Sequence, residues 1–449
     1  MHVRNPYRIP PDFTQLSESY PKLKQHLIHD PKTGKPTIDF KDETAQRRLT
    51  EAIMQRDFGV TLDIPSTRLC PPIVTYRLNY ALWIQDIVRA HEDVLGSHSR
   101  ARPIRGIDIG TGSTAIYPIL ICKLEATWEM VATEIDYESY ESARRNISNN
   151  NMQSRIHVEK ASPDQSILFP LEDDRTFEFT MCNPPFYGSA AEVVQSAEAK
   201  EFPPNAVCTG ADIEMIYPHG GEEGFVMKIL DESERFMTRC KWYTSMLGKM
   251  SSVATIVEVL RQRSITNYAV TEFVQGQTRR WAIAWSFADT RLPDTMARIQ
   301  SISPKHALYP CMPPKNTLVQ AFPGPATHLV STKLIETLHG IEGVSYTTTS
   351  LNSFFVEARQ NTWSRSARRS RANKNSSKKP DPASLDADDI LSGSQPALTC
   401  SCRVLADTAH ADPVNVVENQ WIFGNDRALF ESFVGHVSRK VGMGLRGVK

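Results

Sequence analysis

The sequence predicts an α/β protein built around a parallel β-sheet. Between residues 103 and 182, short apolar runs typical of strands alternate with longer runs that have helical periodicity. A glycine-rich turn follows the first of these strands, and an acidic residue ends the second. Strands separated by helices form βαβ units, in which the strands lie parallel and the crossovers are right-handed. At 449 residues, the chain is long enough for two or three domains.

Composition excludes several classes of protein. Lys plus Arg equals Asp plus Glu at 51 each, so the net charge gives no sign of a nucleic-acid partner. There is no run of about 18 apolar residues, and the N-terminus lacks the apolar core of a signal peptide, which predicts an intracellular protein without a membrane span. The eight cysteines include no CxxC pair, so we expect neither a disulfide scaffold nor a metal site.

The N-terminal segment, residues 1–75, is rich in proline and charge and contains a predicted helix over Glu43–Arg56. A firmer helix is predicted from Tyr80, because apolar residues recur there at the spacing of one helix face. These residues are Tyr80, Trp83, Ile84, Ile87 and Val88. We place the start of the central domain just before this helix, at residue 76.

The central domain is predicted to run from residue 76 to residue 290. In chain order we expect a strand at Ile104–Ile109, a helix at Thr114–Leu124, a strand at Glu129–Thr133, a helix at Glu138–Asn149 and strands at Arg155–Glu159 and Phe177–Cys182. Ser251–Arg261 is rich in β-branched residues but has apolar residues at helical spacing, so we predict a helix. The apolar runs Asn267–Gln275 and Arg280–Phe287 flank Gly276 and predict an antiparallel hairpin that closes the sheet.

A small α/β module is predicted at residues 326–449, after a connector at 291–325. Its expected elements are a helix at Ser331–His339, strands at Tyr346–Ala358, Thr399–Leu405 and Val414–Phe423, and a helix after Asn425. An insert at 360–395 is basic from residue 365 to residue 379, then acidic, and has few apolar residues. Such a composition cannot bury enough apolar surface to fold, which predicts disorder.

The glycine-rich turn is the segment Gly106–Gly112, Gly-Ile-Asp-Ile-Gly-Thr-Gly. An apolar strand delivers Gly110, Thr111 and Gly112 into a tight turn ahead of a helix, where the missing glycine side chains let a ligand lie against the backbone. The turn differs from the GxGxxG cradle for phosphates, and the acidic Asp108 would repel a pyrophosphate. It suits a cationic sulfonium donor with an amino-acid end. An ordinary strand-to-helix turn is the alternative when the motif is taken alone.

An acidic residue, Glu134, ends the next strand. A carboxylate at this place, about twenty residues beyond the glycine turn, can accept both ribose hydroxyls of an adenosine group. Alone it would more often be an exposed loop carboxylate. Its spacing from the glycine turn favours the binding role.

The segment Asn183-Pro184-Pro185-Phe186 follows an apolar strand and decides the chemistry. An adenine amino group is a poor nucleophile because its lone pair is delocalised into the ring. The Asn183 side-chain oxygen and the Pro184 carbonyl can each accept one of its hydrogens, and two prolines stiffen the loop that carries both acceptors. Phe186 offers a ring on which the base can stack. A proline-rich surface loop is the alternative.

The order and spacing of these motifs indicate a class I methyltransferase. The donor turn lies at residue 110, the ribose acid at 134 and the acceptor loop at 183. We therefore predict a Rossmann-like core and S-adenosylmethionine as the cofactor. The Asn-Pro-Pro-Phe signature is shared by enzymes that methylate adenine N6, certain cytosine N4 and protein glutamine N5 atoms, so the residues alone specify only a planar amine as acceptor.

Several further segments match one family in combination. They are Pro11–Phe13, Asp57–Gly59, Arg77–Tyr80, Gly106–Gly112, Thr133–Glu134, Met181–Phe186, Trp242–Tyr243, Met246–Lys249, Thr271–Phe273 and Arg280–Ala282. Together these segments resemble the eukaryotic RNA N6-adenosine methyltransferases of the methyltransferase-like protein 16 family, with their bacterial ribosomal-RNA relative. The resemblance covers about residues 1–290.

The resemblance implies methylation of adenine N6 in U6 small nuclear RNA and in hairpins of similar sequence, including those of messenger RNA. It implies a nuclear protein and leaves a cytoplasmic pool open. Arg77, Gly110, Glu134 and Asn183 match the family's donor-binding positions, and Ser166 corresponds to a Ser or Thr on the strand before the acceptor loop. The family's basic RNA-binding arm and groove have as candidates in the N-terminal extension Arg4, Arg8, Lys22, Lys24, Arg47 and Arg48, with ordinary solvated surface as the alternative for such isolated charges.

Two segments depart from the family. The loop Ala161–Gln165 carries less positive charge than the family's lysine-bearing loop, so we expect its regulation to differ. The C-terminal module matches only in outline, and the resemblance implies an RNA-binding module similar to kinase-associated domains. The basic run 365–379 predicts a nuclear-import signal or an RNA-binding tail, with a merely solvated insert as an equal alternative.

Two other functions stay open. A protein glutamine N5-methyltransferase would share the acceptor segment Asn183–Phe186, but it would not need flanking basic segments, and the matches in 1–80 and 240–290 do not belong to that family. A non-catalytic RNA-binding protein is the second alternative. The intact donor turn, Glu134 and Asn183 favour retained turnover.

Overall fold

The computed structural model describes residues 1–68, 74–95, 103–198, 212–275, 278–367, 369, 395–407 and 414–446. Gly276, the predicted hairpin glycine, lies outside these ranges. Of the predicted insert at 360–395, only 360–367, 369 and 395 lie within them. Of the helices in the described ranges, none is both long and apolar enough to cross a lipid bilayer.

The chain forms two compact units. The first comprises Met1–Ala288 with Thr295–Pro313, and the second comprises Asp289–Asp294 with Pro314–Lys449. The segment predicted as a connector, 291–325, is thus divided between the two, because residues 295–313 pack with the first unit. Residues 1–75 also belong to the first unit.

The N-terminal segment of the first unit is mainly helical. Its elements are short 3₁₀ helices at Pro6–Arg8 and Pro21–His26, α1 (Phe13–Ser19), β1 (Leu27–His29), β2 (Pro36–Ile38), α2 (Glu43–Phe58) and α3 (Val74–Leu95). Asp12 and Asp42 cap α1 and α2 by accepting backbone N–H groups of the first turn. Helix α3 begins six residues before the predicted start at Tyr80, because the polar Arg77 and Asn79 interrupt the apolar pattern on which that prediction depended.

The rest of the first unit is built on one large sheet. Its elements are β3 (Arg105–Ile109), α4 (Ile116–Leu124), β4 (Glu129–Glu134), α5 (Tyr137–Asn149), β5 (Ile156–Lys160), β6 (Phe177–Cys182), α6 (Ala190–Glu198), α7 (Asp212–Met215), α8 (Gly221–Phe236), β7 (Cys240–Leu247), α9 (Met250–Gln262), β8 (Tyr268–Gln275), β9 (Thr278–Trp285) and α10 (Asp294–Ala297), whose first residue belongs to the second unit. Additional 3₁₀ helices lie at Phe169–Leu171, Met237–Arg239 and Tyr309–Cys311.

The strand order in this sheet is β5-β4-β3-β6-β7-β9-β8. The first five strands pair in parallel, whereas β9 pairs antiparallel with both β7 and β8. Chain order reverses at β3, so helices cover both faces and ligands are expected outside the carboxyl ends of the strands. The predicted Rossmann-like core, with an antiparallel hairpin closing the sheet, is confirmed.

The interior strand β7 was not predicted from the sequence. All of its residues except Lys241 are buried, so the alternation of polar and apolar residues that marks a half-buried strand is absent. The hydroxyl of Thr244 in this strand donates to the Thr180 carbonyl at 2.7 Å, which satisfies a polar group inside the core. Tyr243 stacks on Trp285 with ring centroids 5.9 Å apart.

The second unit is a small α/β module. Its elements are β10 (Thr317–Pro323), α11 (Thr327–His339), β11 (Val344–Ser350), β12 (Ser353–Ala358), β13 (Leu398–Asp407), β14 (Val414–Phe423) and α12 (Arg427–Arg446). The strands form an antiparallel sheet in the order β10-β14-β13-β12-β11, and α11 and α12 share one apolar core with it. The predicted single strand Tyr346–Ala358 is wrong, because the chain reverses at Asn352, whose φ of 60° is left-handed and suits asparagine in a tight turn.

A substitution at Gly106 tests how tightly the central sheet packs. A Cβ atom there would lie 2.2 Å from Phe179 Cζ and 2.8 Å from Met130 Sδ, both inside the core. We expect Gly106→Ala to lower the free energy of unfolding by at least about 1–3 kcal/mol, measured by urea denaturation. The matched control is Gly435→Ala on α12, where no atom lies within 4 Å and helix propensity predicts a gain of up to about 1 kcal/mol. Equal effects of the two variants would contradict this account of the packing.

Candidate active site

A cavity of about 420 Å³ opens where β3, β4 and β6 end in the first unit. Parallel register aligns Ile109 with Thr133 on one side and with Cys182 on the other, so the segments that follow these residues meet at the same edge. The predicted residues that line the cavity are Arg77, Gly110, Thr111, Gly112, Glu134, Ser166, Asn183, Pro184 and Pro185. Asp108 and Phe186, the other two residues predicted for cofactor binding and catalysis, are not part of its lining.

The turn after β3 forms one wall of the cavity. Gly110 and Gly112 have φ values of 68° and 69°, a left-handed conformation that glycine adopts without strain. A Cβ atom on either residue would meet no protein atom within 4 Å. The backbone here is therefore open to a ligand, and the Thr111 N–H holds the turn to β4 by donating to the Thr133 carbonyl at 2.9 Å.

Glu134 ends β4 and is buried, with 6% of its surface exposed. Its carboxylate accepts the N–H groups of Gly112 at 2.8 Å and Asp136 at 2.9 Å, so the acid is fixed by both the turn and its own strand end. Burial raises its pKa, and these backbone N–H groups oppose the rise. Because a carboxylate has about four lone-pair positions, it can still accept hydroxyl groups in the cavity.

Asp108, two residues before Gly110, is buried and is not among the residues that line the cavity. It is 1% exposed, and burial raises its pKa to about 7 against the opposing influence of the nearby Thr111 hydroxyl and of the Arg77 guanidinium. Among the described residues, neither carboxylate oxygen of Asp108 has a hydrogen-bond partner, and the same is true of Thr111 Oγ1, Ser113 Oγ and Arg77 Nε. Buried polar atoms without partners are rare in folded proteins, and their concentration here fits a cavity that holds a polar, charged ligand.

The acceptor loop begins at the end of β6, the strand next to the one that carries the glycine turn. Asn183 is half-buried, and within the described residues its amide makes no hydrogen bond, so the side-chain oxygen is available to a ligand. Pro184 is buried and Pro185 half-buried. Phe186 lies just outside the cavity: its ring touches Gly248, and the Arg280 guanidinium lies 5.4 Å from the ring centre.

One wall of the cavity was missed by sequence analysis. Residues of the segment 213–228, among them Ile213, Tyr217, Phe225 and Lys228, also line the cavity. The segment reaches the site through a short ladder, in which the Tyr187 N–H donates to the Met215 carbonyl at 3.0 Å and the Tyr217 N–H to the Tyr187 carbonyl at 2.8 Å. No motif marks these residues, because their side chains matter here by position and not by chemical type.

Ser166 lines the cavity but stands in the loop after β5, not on the strand before the acceptor loop as the resemblance had placed it. Its hydroxyl donates to Glu232 at 2.7 Å, and the same carboxylate accepts the N–H groups of Ile167 and Leu168. The preceding residues 161–163 and 165 also line the cavity. The Glu232 carboxylate therefore fixes this loop, and the loop lines the cavity.

The basic residues predicted to bind RNA divide into two groups. Arg47 is buried, and its guanidinium donates to the carbonyls of Pro65, Ser66 and Arg68, so it holds the N-terminal segment together instead of forming a surface. Arg4 pairs with Asp86, and Arg48 with Glu51. The remaining three, Arg8, Lys22 and Lys24, are exposed.

Comparison with known proteins identifies the family. A family model described as RNA methyltransferase matches residues 1–289. The chain belongs to this RNA methyltransferase family. The resemblance inferred from the sequence is confirmed, and the matched region coincides with the part of the first unit that contains the cavity. Within the described ranges, no group of three or more His, Cys, Asp or Glu side chains is arranged to hold a metal ion.

The chain is similar to two groups of relatives. The human RNA N(6)-adenosine-methyltransferase METTL16 is 41% identical over 295 residues, which cover 64% of this chain and 51% of that protein. The U6 small nuclear RNA (adenine-(43)-N(6))-methyltransferase of Schizosaccharomyces pombe is 41% identical over 266 residues, covering 59% of this chain and 66% of that protein. This chain spans about half the length of the vertebrate relatives that it matches.

Solved structures show the same core. The hMettl16 catalytic domain in complex with MAT2A 3'UTR hairpin 6 has a TM-score of 0.58 and 40% identity, covering 65% of this chain and 99% of that chain. The N-terminal domain of human METTL16 in complex with SAH has a TM-score of 0.53 and 37% identity, covering 64% of this chain and 99% of that chain. Both matches support the class I methyltransferase core of the first unit.

The buried carboxyl of Asp108 predicts a pH-dependent stability. The unfolded chain releases this proton near the ordinary value of 3.8, whereas the folded chain retains it up to about 7. Stability therefore falls as pH rises from about 4 to about 7 and then levels off, by at most about 4 kcal/mol from this group. The Asp108→Asn side chain has nearly the same shape as the aspartic acid but carries no group that titrates in this pH range.

The measurement is urea denaturation of the ligand-free wild type and Asp108→Asn between pH 4 and pH 8. We expect equal unfolding free energies near pH 4 and a growing advantage of the variant up to about pH 7. A difference that does not change with pH would show that the Asp108 carboxyl titrates normally.

Proposed function

We propose that this protein transfers a methyl group from S-adenosylmethionine to the N6 amino group of an adenosine in a structured RNA, with U6 small nuclear RNA as the principal substrate. The observation that carries the proposal is that Asn183, Pro184 and Pro185 line the same cavity as the glycine turn. Family membership supports the reaction, and the names of the relatives support adenine N6 as the acceptor.

The residues around the cavity fit S-adenosylmethionine. Glu134 would accept the ribose hydroxyls, and the open backbone at Gly110 and Gly112 would lie along the amino-acid end. Asp108 in its ionised form favours a cationic group near the turn, and Arg77 offers a cation for a carboxylate. When bound, the cofactor supplies an electrophilic methyl group on a sulfonium sulfur.

The acceptor loop does the remaining chemistry by holding the amine. The Asn183 side-chain oxygen and the Pro184 carbonyl accept the two amino hydrogens, which draws the nitrogen toward a pyramidal geometry and turns its lone pair to the cavity. Two prolines and the end of β6 fix these acceptors before the base arrives. No general base is needed, because the methylated amine is strongly acidic and gives its proton to water.

Phe186 directly follows Pro185, which lines the cavity, and would receive an extruded base there. A base that stacks on this ring gains about 1–3 kcal/mol, and a paired adenine must leave its helix to reach it. Arg280 lies over the ring and adds positive charge beside the entrance. The position of Phe186 outside the donor cavity suits a residue that contacts the base and not the cofactor.

The choice of RNA is supported by the relatives. One is named for adenine 43 of U6 small nuclear RNA, and a solved relative holds a hairpin of the MAT2A 3'UTR. A small nuclear RNA as substrate implies a nuclear protein, and hairpins of messenger RNA would extend its substrates. The exposed Arg8, Lys22 and Lys24 are the candidates for phosphate contacts in the N-terminal segment. The second unit would act as an accessory RNA-binding module.

Asn183→Ala tests the central claim. Loss of one preorganised acceptor should lower kcat by about 100- to 1000-fold and leave the melting temperature unchanged. The assay offers labelled donor with U6 RNA, DNA of the same sequence or a glutamine-bearing protein, and we expect label only in RNA, recovered as N6-methyladenosine. The control Asn149→Ala, an exposed site on α5, should retain full activity. Label in the protein acceptor, or in no acceptor, would exclude the proposed reaction.

Phe186→Ala tests the role of the ring. Because the residue does not line the donor cavity, the dissociation constant of the donor should stay within twofold by calorimetry. Turnover on RNA should fall by about 5- to 150-fold, the equivalent of the lost stacking energy. Equal losses of donor affinity and turnover would show that the ring belongs to the donor site instead.

A further inference from the structure

The turn between β7 and α9 supports the ring of Phe186. A Cβ atom on Gly248 would lie 3.0 Å from Phe186 Cδ1 and 3.3 Å from Cε1, so only glycine lets the ring pack this closely against the backbone. This turn belongs to Met246–Lys249, a segment that the family resemblance singled out and to which the proposed reaction gives no role. The contacts of Glu222 and Lys249 fix the position of this turn.

Glu222, at the start of α8, fixes the backbone of this turn. It is 1% exposed, and its carboxylate accepts the Gly248 N–H at 2.6 Å, the Lys249 N–H at 2.8 Å and the Ser252 hydroxyl at 2.8 Å. Lys249 stands at the N-cap of α9 without a side-chain cap of its own. A carboxylate from a neighbouring helix therefore caps α9 and holds Gly248 beneath the ring.

The side chain of Lys249 extends the same network to α6. Its ammonium forms an ion pair with Glu192 of α6, and the second oxygen of Glu192 accepts the Gly188 N–H at 2.6 Å. Lys249 and the Gly188 N–H both lower the pKa of Glu192, so it is charged at neutral pH. Gly188 stands two residues after Phe186, and the ion pair thus ties the outgoing end of the acceptor loop to the turn that supports the ring.

Gly221, the first residue of α8, packs against the backbone of the same loop. A Cβ atom there would meet Tyr187 C at 3.0 Å and Phe186 O at 3.1 Å, so the start of α8 packs directly against the backbone of the acceptor loop. Three separate segments, the starts of α6, α8 and α9, therefore converge on Phe186 and its neighbours. None of Glu192, Glu222, Gly248 or Lys249 lines the donor cavity.

We propose that Lys249 and Glu192 are positioning residues, which hold the Phe186 ring in the orientation that receives the extruded adenine. This inference rests on the proposed adenine methylation. The ion pair is about two-fifths exposed, so it adds little to the stability of the fold. Its effect is on geometry, since a displacement of about 1 Å at a substrate contact can cost 100-fold in rate.

Lys249 could instead bind an RNA phosphate. Variants of Lys249 and of its partner Glu192 distinguish this explanation from the positioning role. Lys249→Met removes a positive charge, whereas Glu192→Gln removes a negative one. If Lys249 bound RNA phosphates, the first variant would weaken RNA binding and the second would strengthen it. If the pair positions the loop, both variants break the same tie and have the same effect.

The experiment measures kcat, KM for RNA, donor affinity and melting temperature for both variants, each in the wild-type and the Phe186→Ala background. We expect each to lower kcat by about 10- to 100-fold, with the other three quantities within twofold or 2 °C of the wild type. In the Phe186→Ala background neither should cause a further loss, because the ring through which they act is gone. The matched control is Arg144→Met, which breaks an exposed ion pair with Glu141 on α5 and should change nothing.

A second readout does not depend on activity. 4-Fluorophenylalanine placed at position 186 should give one ¹⁹F resonance that moves in Lys249→Met and in Glu192→Gln and stays in Arg144→Met. Losses that multiply with Phe186→Ala, opposite changes in KM, or an unmoved resonance would overturn the proposal. A wild type that methylates no RNA while the resonance still moves would defeat the proposed function and leave the positioning role standing.

Discussion

The register between β3 and β6 is the constraint on which the site depends. Parallel pairing aligns Ile109 with Cys182, so the glycine turn and Asn183 leave the sheet side by side from adjacent strands. A shift of one residue would turn every side chain of the strand to the opposite face. Buried residues on both strands, such as Ile107 and Phe179, make such a shift expensive and thereby hold the donor wall and the acceptor loop at one separation.

A buried hydroxyl network locks this register to the neighbouring elements. The Thr244 hydroxyl donates its proton to the Thr180 carbonyl, so the 2.6 Å contact between Thr244 and Tyr80 is a bond donated by the Tyr80 hydroxyl. The same Tyr80 oxygen accepts the Cys182 N–H at 3.3 Å, one residue before Asn183. Helix α3, β6 and β7 therefore meet at one fully buried tyrosine directly beneath the acceptor loop.

Sequence reasoning located the parts of the site that need particular residue types. Glycines at 110 and 112, an acid at 134 and the Asn183–Phe186 loop are each required by local geometry or chemistry, and each lies at the cavity or its rim. Sequence reasoning failed for residues whose role depends on their place in the fold and not on their chemical type. Arg47 was predicted to be a surface cation, but its guanidinium donates hydrogen bonds to three backbone carbonyls. The cavity-lining segment 213–228 is held at the site by two backbone hydrogen bonds to Tyr187, which no local sequence pattern predicts.

The two walls of the cavity differ in what they cost the fold. On the donor side, burial raises the pKa values of Glu134 and of Asp108 close to the wall, so the ionised forms of these carboxyls are destabilised until a cation or hydroxyl groups arrive. The acceptor loop carries no buried charge and is rigid because of proline and backbone bonds. The donor side, which must recognise a charged ligand, therefore lowers the stability of the ligand-free fold. The acceptor loop, which must hold a neutral amine in place, does not. This asymmetry follows from the chemistry of the two substrates, since charge can be recognised by charge, whereas a planar amine is oriented only by acceptors that do not move.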